Sequence, residues 1–124
     1  MEITKVDFVG IPTQDMERAT RFYVDTLGLR RDEQSESEFW AGETCFSLWK
    51  PEWAGHSWAP SRTGLIALHV ADVSAARADL EQKGVDFEGD VVDTGVCHMA
   101  FFSDPDGNSL MLHHNYKRSA DGQG

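Results

Sequence analysis

The amino-acid sequence repeats its own outline, and that repeat restricts the folds open to it more than any single motif does. When Asp15 is set against Asp72, Phe8 falls on Leu65, and Gly28 and Gly84 stand at nearly equal distances downstream. Each aspartate suits a helix N-cap, because its carboxylate can accept from backbone N–H groups in the first turn; Thr13 is a second candidate for the first helix. Each glycine suits the left-handed residue that ends a helix. Between them Met16, Ala19, Phe22, Tyr23 and Leu27, and then Val73, Ala76 and Leu80, recur at helical spacing and predict one apolar face per helix. An apolar run precedes each helix: Lys5 to Ile11, closed by Pro12-Thr13, and Leu65 to Val70. A hairpin comes after each, with Cys45-Phe46-Ser47-Leu48 or Leu110-Met111-Leu112 as its last strand. The predicted class is α+β, built from two βαβββ modules.

Turn chemistry fixes several of the joints. Glu38-Phe39-Trp40 and Thr44 to Trp49 flank Ala41-Gly42-Glu43 and read as a hairpin, with a weaker strand expected between Arg30 and Gln34. In the second half, Phe101-Phe102 and Leu110-Met111-Leu112 flank Asp104-Pro105-Asp106-Gly107-Asn108. There Pro105 presets φ, while Gly107 and Asn108 tolerate the positive φ that closes a turn. Residues 50–64, with Pro51, Gly55, Pro60, Trp53 and Trp58, read as a long connecting loop, a kind of segment that tends to bind ligands or form interfaces. The expected organisation is a single domain over 1–124: module one about 5–50, loop 51–63, module two about 64–116, and a frayed tail 117–124.

A formal charge of -10 argues against nucleic acid as a partner, since phosphate backbones are held by clustered Lys and Arg and the one local cluster is Lys117-Arg118. Such acidity serves solubility, or it attracts a cationic small molecule. No apolar run is long enough to cross a bilayer and no export signal precedes the first strand, so a cytoplasmic location with no membrane partner is expected. In that compartment Cys45 and Cys97 are expected to be free thiols, both in the core.

The opening Asp7-Phe8-Val9-Gly10-Ile11-Pro12, the helix residues Asp15-Met16-Glu17-Arg18-Ala19 and Phe22-Tyr23, and the Asp-Pro-Asp-Gly-Asn hairpin together resemble the vicinal-oxygen-chelate superfamily. Its members include glyoxalases, extradiol dioxygenases, fosfomycin-resistance enzymes and bleomycin-resistance proteins. The resemblance implies a cupped mixed sheet with the helices on its outer face. It also implies that metal-dependent members carry His or Glu at four positions held here by Phe8, Ser47, Leu65 and Met111. None of these offers an imidazole or carboxylate, so no metal and no cofactor is expected there.

Strand alternation extends the same face from Ser47 to Cys45 and Trp49, from Leu65 to His69, and from Met111 to His113. Met99 and Phe101 resemble ligand-contacting positions of the fosfomycin-resistance branch. The candidate ligand-binding residues are therefore Phe8, Ser47, Trp49, Leu65, His69, Met99, Phe101, Met111 and His113, although the Met and Phe residues are equally at home as core. No catalytic residue stands out. The expected function is metal-free binding of a small organic molecule, aromatic or cationic, in an apolar site. Two alternatives remain: a lyase, isomerase or dioxygenase using a displaced site at His69 and His113, and a protein-interaction module. His98 and His114 are expected to point toward the helices or outward. Exposed sheet edges and the apolar loop around Trp53 and Trp58 lead to the expectation of a homodimer.

Overall fold

The computed structural model describes residues 1–117 and divides the chain into two compact units, Met1–Pro60 and Ser61–Gly124. Most of the predicted tail, 118–124, lies outside the described residues; Lys117 sits in a turn and its N–H donates to the Asn115 side chain at 3.0 Å.

In the first unit β1 (Val9–Pro12) leads into α1 (Met16–Thr20), which widens into π-type turns over Arg21–Thr26 before β2 (Arg30–Arg31), β3 (Glu38–Ala41) and β4 (Thr44–Trp49). The sheet order is β1-β4-β3-β2, with β1 parallel to β4 and the other pairs antiparallel. The second unit repeats the plan: β5 (Ile66–His69), α2 (Val73–Gln82), β6 (Phe87–Asp93), β7 (Cys97–Ser103) and β8 (Ser109–Asn115), in the order β5-β8-β7-β6. Both are α+β units of βαβββ topology.

The predicted caps are in place. Asp15 accepts from the Arg18 N–H at 3.0 Å and Asp72 from the Ala75 N–H at 3.0 Å, and both have φ of -143°. Gly28 and Gly84 take positive φ, 77° and 93°, at the far ends. Burial agrees with the predicted faces. Ala19 and Tyr23 are buried against Phe39, Phe46 and Leu48, and Val73 and Leu80 belong to a core that includes Ala100, Phe102, Leu110 and Leu112.

Several boundaries differ from the sequence expectation. The first strand starts at Val9, not Lys5, because a strand exists only where a partner accepts it and the register with β4 begins at Val9 opposite Phe46. Pro12 closes that strand from inside; the next donor, the Thr13 N–H, bonds the Trp49 carbonyl at 3.0 Å. The strand expected over Arg30–Gln34 shrinks to two residues, since the Asp32 carboxylate takes the N–H groups of Gln34 and Ser35 at 3.0 and 2.9 Å and turns the chain there. The connecting loop holds a short 3-10 turn, Pro51–Ala54, ended by Gly55 at φ 79°. Trp53 is exposed within it, whereas Trp58 is half-buried.

The hairpin at Asp104 to Asn108 is a buried polar knot. Asp104 accepts from the N–H groups of Asp106 and Asn108, both at 2.9 Å, and from the Asn108 side-chain amide at 2.7 Å. Gly107 has the positive φ expected of it; Asn108 does not, because its side chain is needed on the inside, where its oxygen accepts from the Ser61 N–H at 2.7 Å.

Candidate ligand site

Each sheet has one face on its helix and one turned away, and strand register decides which residues share a face. In the second unit one row across β5, β8, β7 and β6 reads His69, His113, Met99, Val92. The next reads Ala67, Met111, Phe101, Glu88. Since Leu110, Leu112, Ala100 and Phe102 are buried on the helix side, alternation puts these two rows on the face away from α2. His69, Met99, Phe101, Met111 and His113 therefore form one continuous patch, half-buried except for exposed His69. Leu65 precedes β5 and is 41% exposed at the margin of that patch.

The first unit places Ser47 and Trp49 on the corresponding face. Ser47 lies between Gly10 on β1 and Glu38 on β3, and Trp49 is opposite Pro12. A Cβ on Gly10 would come within 3.2 Å of the Trp49 indole nitrogen, so the absence of a side chain there lets the indole lie over β1. The His56 ring stands edge-on to Trp49 at 6.2 Å. Phe8 is 53% exposed just before β1, in the place that Leu65 holds before β5.

Of two further indoles, one is already engaged and one is open. The Trp40 indole N–H donates to Asp32 at 2.9 Å and the Arg30 guanidinium lies 5.6 Å over its ring. That indole bond, then the backbone bonds from Gln34 and Ser35, hold the Asp32 carboxyl below its usual range. Trp53 lines a shallow hollow of about 880 Å³ with Met16, Thr20, Arg21 and Arg31.

Residues 5–112 match the family pattern described as the Glyoxalase/Bleomycin resistance protein/Dioxygenase superfamily. The chain belongs to that superfamily. It is similar to TnmS3, an antibiotic binding protein from Streptomyces sp. CB03234, at 30% identity over 93% of this chain and 98% of that one, with a TM-score of 0.70. A superfamily member from Sphaerobacter thermophilus DSM 20745 is 28% identical over 90% of this chain and 97% of the other, with a TM-score of 0.74. A glyoxalase/bleomycin resistance protein from Streptomyces sp. CB03234 is also 28% identical, over 86% and 97%, with a TM-score of 0.65. No curated protein matches in sequence.

The residues at the superfamily's metal positions do not fit a divalent ion. Phe8 and Ser47 in one unit and Leu65 and Met111 in the other supply a hydroxyl and a thioether but neither imidazole nor carboxylate, and hydrated cations are not stripped by such donors. Among the described residues no three His, Cys, Asp or Glu side chains gather into a metal-binding group.

The histidines meet in a way that goes beyond the expected pair of His69 and His113. Backbone register does put His69 beside His113, yet the His69 ring also stands 5.6 Å from that of His114, whose Nδ1 is buried without a hydrogen-bond partner. Sequence parity puts His114 on the opposite face from His113, toward the helices or outward, so its approach to His69 is a contact the sequence did not anticipate. His98 pairs with Asp93 at 3.4 Å, beside Tyr116, whose hydroxyl donates to Asp93 at 2.8 Å. Both cysteines are free and buried, as expected. Burial, and then the carboxylates of Glu38 and Asp32, push the Cys45 thiol up, which makes it a poor nucleophile.

Sequence reasoning missed Glu38. Its alternation with core residue Phe39 already put it on the face of Trp40, but a charge in a hairpin strand reads as a solvated one until the register shows its neighbours, here Ser47.

Proposed function

We propose that this superfamily member binds a small organic molecule, aromatic or cationic, against the sheet faces turned away from the helices, with no metal at the superfamily position. The carrying observation is the patch of His69, Met99, Phe101, Met111 and His113, which sets two thioethers and a phenyl ring in register beside two imidazoles, with the Met111 thioether at one of the positions the resemblance assigns to a metal ligand. Apolar and aromatic linings with a few polar groups are how small-molecule sites are usually built. Similarity to an antibiotic binding protein at 30% identity supports the same reading. Leu65 extends this patch at its margin, and Phe8, Ser47 and Trp49 form the corresponding surface of the first unit. Free buried thiols suit the cytoplasm, the net charge of -10 disfavours nucleic acid, and exposed apolar residues such as Trp53 and Ile3 suit a homodimer.

A second reading is kept alive by the approach of His69 to His114: a displaced metal site serving a lyase, isomerase or dioxygenase. Elemental analysis of mildly purified protein separates the two. Binding predicts no stoichiometric zinc, iron, manganese or nickel, together with tryptophan quenching by planar compounds that Trp49→Phe reduces. One metal per chain, lost on His69→Ala, establishes the second reading instead.

A further inference from the structure

Glu38 is the one half-buried carboxylate on the face of the first sheet turned away from α1 whose charge is answered by nothing among the described residues. It lies in the same cross-strand row as Ser47 and Gly10, and over Gly10 lies the Trp49 indole. Among the described residues no hydrogen bond or ion pair reaches its carboxylate. The contrast with other withdrawn carboxylates is sharp: Asp32 on the same sheet takes two backbone N–H groups and an indole N–H, and buried Asp104 in the second unit takes two backbone N–H groups and an amide. A carboxylate withdrawn from part of its water without a partner is disfavoured, and a cationic group restores what it lost.

A cation on the same face, Arg30, is committed elsewhere. Arg30 shares the face of Trp40 but spreads its guanidinium over that indole, 5.6 Å from the ring centre. Trp40, with its N–H on Asp32 and its ring under Arg30, is structural; Trp49 has neither engagement. The effect of Glu38 on its surroundings is felt at Cys45, two residues from Ser47 on β4, whose thiol is pushed up by burial first and by Glu38 next.

We propose that Glu38, with the Ser47 hydroxyl and the Trp49 indole, forms a subsite for the cationic end of a planar aromatic ligand. This rests on the small-molecule reading above and names the ligand's charge. Strands are spaced about 4.8 Å apart, so the span from the indole over β1 to the carboxylate over β3 is about 10 Å, which suits a fused two-ring cation lying across the row. The ring meets the indole and the positive nitrogen meets Glu38, two attractions that a neutral ring of equal shape only half reproduces. A protein of net charge -10 also raises the local concentration of such cations.

The test is a pair of isosteres, 1-methylquinolinium and neutral 1-methylnaphthalene, titrated into the full chain at low salt and monitored by backbone amide NMR. The expected result is that the cation binds about tenfold tighter, as one well-placed charge contact supplies, with shifts centred on residues 38–49. Glu38→Gln, nearly isosteric, removes the preference, while Glu43→Gln at the exposed hairpin tip keeps it. Equal binding of the two probes, or a preference that survives Glu38→Gln in a protein with an unchanged amide spectrum, overturns the subsite and leaves small-molecule binding standing. Failure of both probes to bind overturns both.

Discussion

The two units start their helices in the same way and finish them differently. At the N-caps, Asp15 and Asp72 share φ of -143° and differ in ψ only between 98° and 105°. Beyond that point α2 runs regularly for ten residues, whereas α1 holds for five and then opens, with the Leu27 N–H reaching back to Phe22 and the Leu29 N–H to Tyr23. The cores explain the split. The first unit fills its helix–sheet space with rings: Tyr23 stacks on Phe39 at 6.4 Å and meets Phe46 edge-on at 6.5 Å. The second packs Val73 and Leu80 in a core with Ala100, Leu110 and Leu112, and Phe102 lies 5.0 Å from Phe87. Wider turns change the angle at which side chains leave the helix, which lets a ring as large as Tyr23 come to rest fully buried. Strand order is the same in both, so topology tolerates either filling, and the helix absorbs the difference in side-chain size.

The strongest way to probe this is to empty each core. Tyr23→Ala and Phe102→Ala, both at nearly fully buried positions, are each expected to cost about 3–5 kcal/mol in denaturant unfolding. Tyr23→Leu further sharpens the comparison: if the ring is what widens α1, the leucine variant regains regular amide hydrogen bonding over residues 21–26, visible in hydrogen exchange. Unchanged exchange there would mean that the widening has another cause.

A smaller effect tests the half that the units share. Asp15→Ala and Asp72→Ala should each lower the melting temperature, and by similar amounts, because each removes one side-chain bond to an orphan N–H in the same geometry. Thermal melts that differ between the two by more than the cap itself is worth would show that the helix beyond the cap, regular or widened, governs the value of the cap.

The smallest effect is in pH. Asp32 in the first unit and Asp93 in the second both lie below the ordinary 3.8, Asp32 chiefly through the Trp40 indole and Asp93 chiefly through the Gly95 N–H and then the Tyr116 hydroxyl. A carboxylate depressed in the folded state contributes stability that is present above 3.8 and is lost as pH falls through its folded value, so both units weaken in acid. Tyr116 runs the other way: its hydroxyl is raised above 10.0 chiefly by its bond to Asp93, and its contribution is present below 10.0 and lost as pH climbs toward the folded value. Melting profiles should therefore show acid shoulders removed by Asp32→Asn and Asp93→Asn, and an alkaline shoulder removed by Tyr116→Phe. An alkaline shoulder that persists in Tyr116→Phe would detach that residue from it.

Much of this was legible without coordinates. Caps, helix-ending glycines and the polar hairpin are local devices: Asp15 and Asp72 reach donors three residues away, and Asp104 to Asn108 bond mostly among themselves, so residue identity and spacing suffice. The side-chain alternation of a strand is equally local, which is why Met111 and His113 could be put on one face from sequence parity, and Ser47 and Trp49 likewise on theirs, whereas Met99 and Phe101 were named from the family resemblance. What parity does not contain is the partner. Where β1 begins depended on where β4 accepts it; that His69 meets the His114 ring as well as lying beside His113 depended on tertiary packing; and Trp49 could lie over β1 because Gly10 is the residue beneath it. The unanswered charge of Glu38 belongs to the same class, since a carboxylate is paired or unpaired only with respect to groups that other strands bring near it. Sequence by itself determined the elements, their order and their faces, because those arise from interactions within a few residues. Tertiary structure decided the neighbours across strands, because hydrogen-bond register and ring contact are set by residues far apart in the chain.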